Sequence, residues 1–246
     1  MDPSEYRTIY SVEDRHWWYQ GMQRITLALL DETYGRRGDL DILDAGSGTG
    51  AAMSYLSRFG RVTGIDISPL ALGYCRERGH RRLGQASVTA LPFPSARFDL
   101  VTSFDVLYHR AVGDYREALR EFHRILRPGG RVLLRLPAYD RLRGRHDAVI
   151  HTARRFTANE LNMSLREAGF TVERSTYANT ILFPLALGKR LLEPLLPPGE
   201  PGQSDIAPNP GWVDDALAAV LGAEARWLRR FRLPFGLTVI ALGRKE

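Results

Sequence analysis

The stretch Leu40-Asp41-Ile42-Leu43-Asp44-Ala45-Gly46-Ser47-Gly48-Thr49-Gly50 decides how this chain is read. Its first half, LDILDA, is a short apolar run of strand length. Its second half is a glycine turn that opens into the helix-period segment Ala52 to Phe59. Glycines at a strand-to-helix junction permit positive-φ geometry and let a ligand approach the main chain closely. The turn by itself is ambiguous, because Gly46-x-Gly48-x-x-Ala51 also satisfies the dinucleotide fingerprint. Asp66 lies at the distance expected of a ribose-binding carboxylate under either reading. No Gly-Lys-Ser/Thr follows, so the turn is not a phosphate-cradling P-loop. Asp44 tips the balance. A carboxylate two residues before the first glycine, at the carboxyl end of the strand, would repel a pyrophosphate, but it suits a cationic amino group.

Outward from this turn, strands and helices alternate. RVTGID (Arg61 to Asp66) is the second strand, and Ser68-Pro69 opens a helix with serine as N-cap and proline in its first turn. A weak strand follows near Arg82 to Ala86, then RFDLVTSFD (Arg97 to Asp105) as a buried central strand. The helix from Asp114 to Leu126 is expected to stop at a RPGG turn that launches RVLLRLP. Past a basic loop, Ala138 to Arg155, the spacing Thr157-x-x-Glu160 predicts a capping box, and Gly169 ends the helix. FTVERSTYA is the sixth strand, Ile181 to Leu192 an apolar helix, Trp212 to Arg230 a final helix and GLTVIALGR the last strand. The pattern predicts an α/β, doubly wound (Rossmann-like), seven-stranded and mostly parallel sheet flanked by helices. We expect a single domain over residues 39–246 with an N-terminal helical lid over 1–38. The proline-rich excursion 193–211 is read as part of the surface.

The net charge is +6, from 34 basic and 28 acidic residues. Lys189 and Lys245 are the only lysines; the arginines are scattered through helices beside glutamates, as in YREALREFHRILR. Such spacing describes solvated helix faces, which disfavours a nucleic-acid partner. No apolar run is long enough to cross a bilayer, and MDPSEYRTIYSVEDRHWWYQ lacks the pattern of a signal peptide, so a cytoplasmic location is expected. The single cysteine, Cys75, excludes an internal disulfide and is expected to be a half-buried packing residue.

Four motifs now stand in order: DAGSGTG, GIDIS, LPFPSARFDLV and LRPGGRVLL. With them the chain resembles a class I S-adenosylmethionine-dependent methyltransferase, strongly over residues 40–140 and loosely beyond. The resemblance implies S-adenosylmethionine as cofactor and S-adenosylhomocysteine as product. It implies that Asp44 and the turn Gly46, Ser47, Gly48 and Gly50 hold the methionine end, and that Asp66 accepts both ribose hydroxyls with Ile67 against the adenine. Ser87 stands where the family usually has an aspartate for the adenine amine. Val88 would offer its backbone amide to the adenine, and Phe104 and Asp105 would line the methyl-donor region.

On the acceptor side, adjacent tryptophans in the charged stretch Glu13-Asp14-Arg15-His16-Trp17-Trp18-Tyr19 must cover something. One reading packs them on the sheet with Ile25, Leu29 and Leu30. The other makes them a lid over cofactor and substrate with Tyr19 or His16 toward the methyl group; a similar His-Trp-Trp entry occurs in a bacterial subgroup of these methyltransferases. Tyr108 and His109 follow the fourth strand, on the side where ligands sit in doubly wound folds. The loop from Arg141 to Arg155 carries Arg143, Arg145, His146, Asp147, His151, Arg154 and Arg155, and Arg143 and Arg154 are candidates for an anionic or polyhydroxylated acceptor. No metal is expected, since two histidines and a carboxylate at this spacing do not make a site. Methyl transfer is an in-line displacement that needs alignment above all, and His109, His146 and His151 are the candidate bases. The expected acceptor is a small molecule methylated on O, N or C. RNA or protein methylation, an NAD(P)-dependent oxidoreductase and a non-catalytic binder are the alternatives, and a homo-oligomer stays open.

Overall fold

The structure, a computed structural model, describes residues 3–35, 37–144, 147, 151–192 and 210–246. The proline-rich excursion, but for its last two residues, and His146 lie outside the described residues. Seven strands form one sheet: β1 (Leu40–Ala45), β2 (Gly60–Asp66), β3 (Leu83–Gln85), β4 (Phe98–Phe104), β5 (Leu126–Pro137), β6 (Phe170–Ala178) and β7 (Thr238–Lys245). Their order is β3-β2-β1-β4-β5-β7-β6. All pair in parallel except β7, which runs antiparallel between β5 and β6. The chain winds one way from β1 to β3 and the other way from β4, so the switch point lies between β1 and β4, where ligands collect beyond the strand ends.

Alternation along the central strands builds two cores. Leu40, Ile42, Leu100, Leu133, Ile240 and Leu242 face one layer, while Leu43, Val101, Val132, Leu134 and Ala241 face the other. The first layer is covered by α2 (Trp17–Tyr34) through Met22, Ile25, Leu29 and Leu30, and by α8 (Gly211–Leu228) through Leu221, Ala225 and Leu228. These helices cross closely: a Cβ on Gly21 would sit 2.4 Å from a Leu221 side-chain carbon. The second layer is covered by α5 (Tyr115–Ile125) and α6 (Ala158–Glu167). The remaining helices are α1 (Pro3–Val12), α3 (Ala51–Leu56), α4 (Pro69–Glu77) and α7 (Phe183–Leu192).

Local signals explain the boundaries. The Ser68 hydroxyl accepts from Ala71 N–H at the start of α4, and both halves of the Thr157–Glu160 capping box are made. RPGG departs from its expectation. Leu126 joins the ladder opposite Phe98 at once, and the next pairing is Leu100 with Arg131, so Arg127 to Gly130 form an irregularity inside β5. Cys75 is fully buried rather than half-buried. Among the described residues no helix is long and apolar enough to cross a membrane.

Candidate active site at the switch point

A cavity of about 660 Å³ opens over the carboxyl ends of β1, β2 and β4. Three glycines of the turn after β1 take positive φ: Gly46 (86°), Gly48 (53°) and Gly50 (91°). At Gly46 a Cβ would come 2.3 Å from a Val106 methyl, whereas the space around Gly48 is open. The amides of Gly46 and Ser47 both donate to Ile65 O at 2.8 Å, fixing the turn against β2. Gly48 N–H donates to Asp66 Oδ2 at 3.0 Å, and Ser68 N–H donates to Asp66 Oδ1 at 2.9 Å. The Ile67 amide also favours the ionised carboxyl, and acceptor capacity is left on the cavity side for a further donor. Burial raises the Asp66 carboxyl above its ordinary value against those backbone bonds.

Asp44 is 1% exposed. The parallel register sets it beside Thr102, whose hydroxyl donates to Asp44 Oδ1 at 2.8 Å. Oδ2 is buried with no partner. Burial pushes this carboxyl up to about 7, opposed by the Thr102 hydroxyl and the Arg135 guanidinium. A buried, unpartnered carboxylate oxygen on a cavity wall is costly unless a cation arrives to use it.

Ile67, 55% exposed, and Val88 flank the cavity, as does Ser87. The Ser87 hydroxyl is already committed to Thr89, 2.8 Å from its Oγ1. Asp105, at φ 57°, pairs with Arg135 through Oδ2 at 2.8 and 2.7 Å. Arg135 is itself buried, 5.0 Å from the centroid of Trp18 and 4.7 Å from that of Phe104. Burial raises the Asp105 carboxyl even with this partner. A second buried pair, Asp147 with Arg155 at 2.9 Å, lines the same cavity with Asn179, whose buried Oδ1 has no partner.

Trp17, Trp18 and Tyr19 all line the cavity from the first turn of α2, which His16 caps. The rest of α2 packs on the sheet through Met22, Ile25, Leu29 and Leu30, while its first turn faces the cavity. Tyr6, Ile9 and Glu13 approach from α1 and the turn after it. Glu13 is buried, accepts from the Thr49 hydroxyl, and pairs with Arg78 at 2.9 Å; Arg78 also donates to Thr49 O at 3.0 Å. The N-terminal segment is thereby tied to the glycine turn itself.

Tyr108 and His109 reach the cavity, but His109 is poorly arranged as a base. Its Nδ1 accepts from Ala111 N–H at 3.0 Å, so the neutral ring carries its proton on Nε2. Burial above all holds its pKa down to about 4, assisted by the neighbouring His151. Four expected residues stand off the cavity wall. Gly50 instead caps α3 against Cys75 and His80. His151 is exposed, its ring 5.8 Å from that of His109. Arg143 pairs with Asp140 at 2.8 Å, and Arg154 pairs with Glu160 at 2.6 Å over the rings of Tyr115 and Phe156. Both arginines hold the loop rather than facing an acceptor. Among the described residues no group of three potential metal ligands is gathered.

Sequence reading missed Arg135, Glu13, Asn179 and the pairing of Asp147 with Arg155. For Arg135 a signal existed: a charge inside the apolar strand VLLRLP must be paired when buried.

Comparison with known proteins agrees with this geometry. Residues 43–134 match the profile of the methyltransferase domain family. A protein of Mycolicibacterium smegmatis named as a probable S-adenosylmethionine-dependent methyltransferase is 30% identical over 172 residues, 68% of this chain and 64% of that one. A ubiquinone/menaquinone biosynthesis C-methyltransferase of Enterobacter is 36% identical over 126 residues, 46% of this chain and 49% of that one. The chain thus spans 49% to 64% of the length of these relatives. The crystal structure of an S-adenosylmethionine-dependent methyltransferase from Mesorhizobium loti shares the fold, with TM-score 0.60 and 18% identity over 90% of this chain and 98% of that one. Residues 43–134 thus carry the methyltransferase domain, and the motifs and sheet order of the chain are those of the class I S-adenosylmethionine-dependent methyltransferases.

Proposed function

We propose that this chain transfers the methyl group of S-adenosylmethionine to a small-molecule acceptor bound between the first turn of α2 and the end of β4. The observation that carries the reading is the buried, unpartnered Oδ2 of Asp44 on the wall of the cavity. It fits the ammonium of the methionine moiety and would repel the pyrophosphate of a dinucleotide. The remaining acceptor capacity of Asp66 suits two ribose hydroxyls, and Ile67 and Val88 offer apolar contact to the adenine. Ser87, turned toward Thr89, is a weak substitute for an adenine-binding carboxylate.

When bound, the cofactor supplies a methyl group already activated on a sulfonium. The chain's own residues then have to orient the acceptor and exclude water. Trp17, Trp18 and Tyr19 close one side of the chamber, with the Glu13–Thr49–Arg78 contacts holding this N-terminal lid down on the glycine turn. The Asp105–Arg135 pair stiffens the floor, and Asn179 Oδ1 is set to accept a hydrogen bond from the acceptor. Neutral His109, protonated on Nε2, acts as a donor or a wall rather than a base. His151 is too exposed to share that role, so alignment carries the rate.

The test uses S-adenosylmethionine labelled in its methyl group, incubated with the chain and a cell extract and followed by fractionation. The reading expects label in the small-molecule or solvent-extractable fraction. Label confined to RNA or protein would overturn the acceptor class, and no transfer to any fraction would favour a non-catalytic binder.

A further inference from the structure

The segment Arg226-Trp227-Leu228-Arg229-Arg230-Phe231-Arg232-Leu233-Pro234-Phe235 leaves α8 and runs along the outer edge of β6, the last strand of the sheet. It is anchored there. Arg232 donates to Glu173 O at 3.2 Å, Leu233 N–H to Thr176 Oγ1 at 2.9 Å, and Tyr177 N–H to Leu233 O at 3.2 Å. These bonds cover an edge that would otherwise be open. Yet the anchored segment turns its largest apolar groups outward: Trp227 is 64% and Phe231 60% exposed, with ring centroids 6.3 Å apart. Phe235 is also exposed, and its ring lies 5.4 Å from that of Phe183, the first residue of α7. The apolar strip continues through Ile181 to Leu185 on α7, which is 72% exposed. Arg226, Arg230 and Arg232 are exposed among these groups, and Arg229, also exposed, lies 3.9 Å from Asp31.

We propose that this strip is a docking surface for an anionic lipid bilayer. Arginines interleaved with tryptophan, phenylalanine and leucine suit the headgroup boundary, where apolar groups enter the acyl region and cations meet phosphates. A nucleic acid fits less well, because the aliphatic side chains of Ile181 and Leu185 offer a base nothing to stack on. A second copy meeting the same strip in a two-fold contact would set arginine against arginine. Ala186 of α7 lines the cavity, so docking would bring the cavity mouth toward the bilayer. The proposal stands apart from methyl transfer and is tested without cofactor.

The test is co-sedimentation of the full chain with phosphatidylcholine vesicles, alone or mixed with phosphatidylglycerol. Binding should require phosphatidylglycerol and weaken as salt rises. Each arginine near the surface contributes roughly fivefold, so Arg226→Gln with Arg230→Gln should lower the apparent affinity roughly 30-fold. Trp227→Ser with Phe231→Ser should lower it at least tenfold, on the order expected for lost apolar burial. Unchanged S-adenosylhomocysteine binding in both variants would show that they are folded. Equal binding to both vesicle types, or none, would overturn the proposal. So would a dimer in solution that the Trp227→Ser/Phe231→Ser variant dissolves, or binding to single-stranded RNA in place of vesicles.

Discussion

Asp44 concentrates the cost and the use of the site in one side chain. Its carboxyl is buried with one oxygen satisfied by Thr102 and the other by nothing, and burial lifts its pKa to about 7. Because the folded value lies above the unfolded one, ionising Asp44 destabilises the fold increasingly as pH rises from about 4 to about 7. Asp44→Asn should therefore raise the melting temperature at pH 8 by a few degrees, about 1 kcal/mol. The same change should weaken S-adenosylhomocysteine binding roughly 10- to 100-fold, the range for a lost charged hydrogen bond. A variant neither more stable nor weaker in binding would contradict this reading. At His109 the expectation is the reverse: with Nδ1 capped by Ala111 N–H, His109→Ala should leave kcat within about threefold of wild type. A hundredfold loss would restore it as a base. The placement of Asp44, Asp66 and the glycine turn at the strand ends was legible, because backbone positions there follow from a local pattern. The direction of the Arg143 and Arg154 side chains was not, because in a loop it depends on partners such as Asp140 and Glu160, which composition does not reveal.

At the scale of elements, the proposed N-terminal lid would depend on one small constellation. Glu13 sits buried between the Thr49 hydroxyl and Arg78, and Tyr10 stacks on Tyr74 at 4.6 Å beneath the Arg78 guanidinium. Arg78→Gln leaves Glu13 buried without its counter-charge. Hydrogen exchange in α1 should rise by at least tenfold, and S-adenosylhomocysteine should dissociate faster while β1 to β5 keep their protection. Uniform deprotection of the sheet would instead mean that the contact stabilises the whole fold. The helix boundaries were legible wherever a side chain makes them, as Ser68 and Thr157 do. The RPGG segment was not, because the register of β4 against β5 draws Leu126 into the ladder before the glycines. Nothing local to the chain encodes that choice.

At the scale of the molecule, the alternation of strands and helices was enough to foresee a doubly wound sheet, and the apolar last strand pointed to its return into that sheet. The ion pairs that tie its lower edge were not legible, because they join distant segments. Asp41, on β1, receives Arg61, Arg97 and Arg127 within 2.9 to 3.1 Å, and Arg127 also holds Asp99 at 2.7 Å. Burial pushes the Asp41 carboxyl up, yet the bonds from Arg127 and Arg97 hold it below the ordinary carboxylate range. Its stabilisation is present above the unfolded value and disappears as pH falls through the folded one. Asp41→Asn should cost on the order of 1 kcal/mol at pH 7, given the exposure of the arginines, and close to nothing at pH 3. Urea unfolding at both pH values measures it; equal losses at both would remove the electrostatic explanation. The central claim, that the switch-point cavity is built for a cationic adenosyl ligand, is tested most directly by calorimetric titration of S-adenosylhomocysteine from pH 5.5 to 8. The account predicts tight binding above pH 7 that weakens about tenfold per unit below it as Asp44 takes up a proton, with that pH dependence absent in Asp44→Asn. Binding that is independent of pH, or binding of NAD(H) in place of the adenosyl compound, would contradict it.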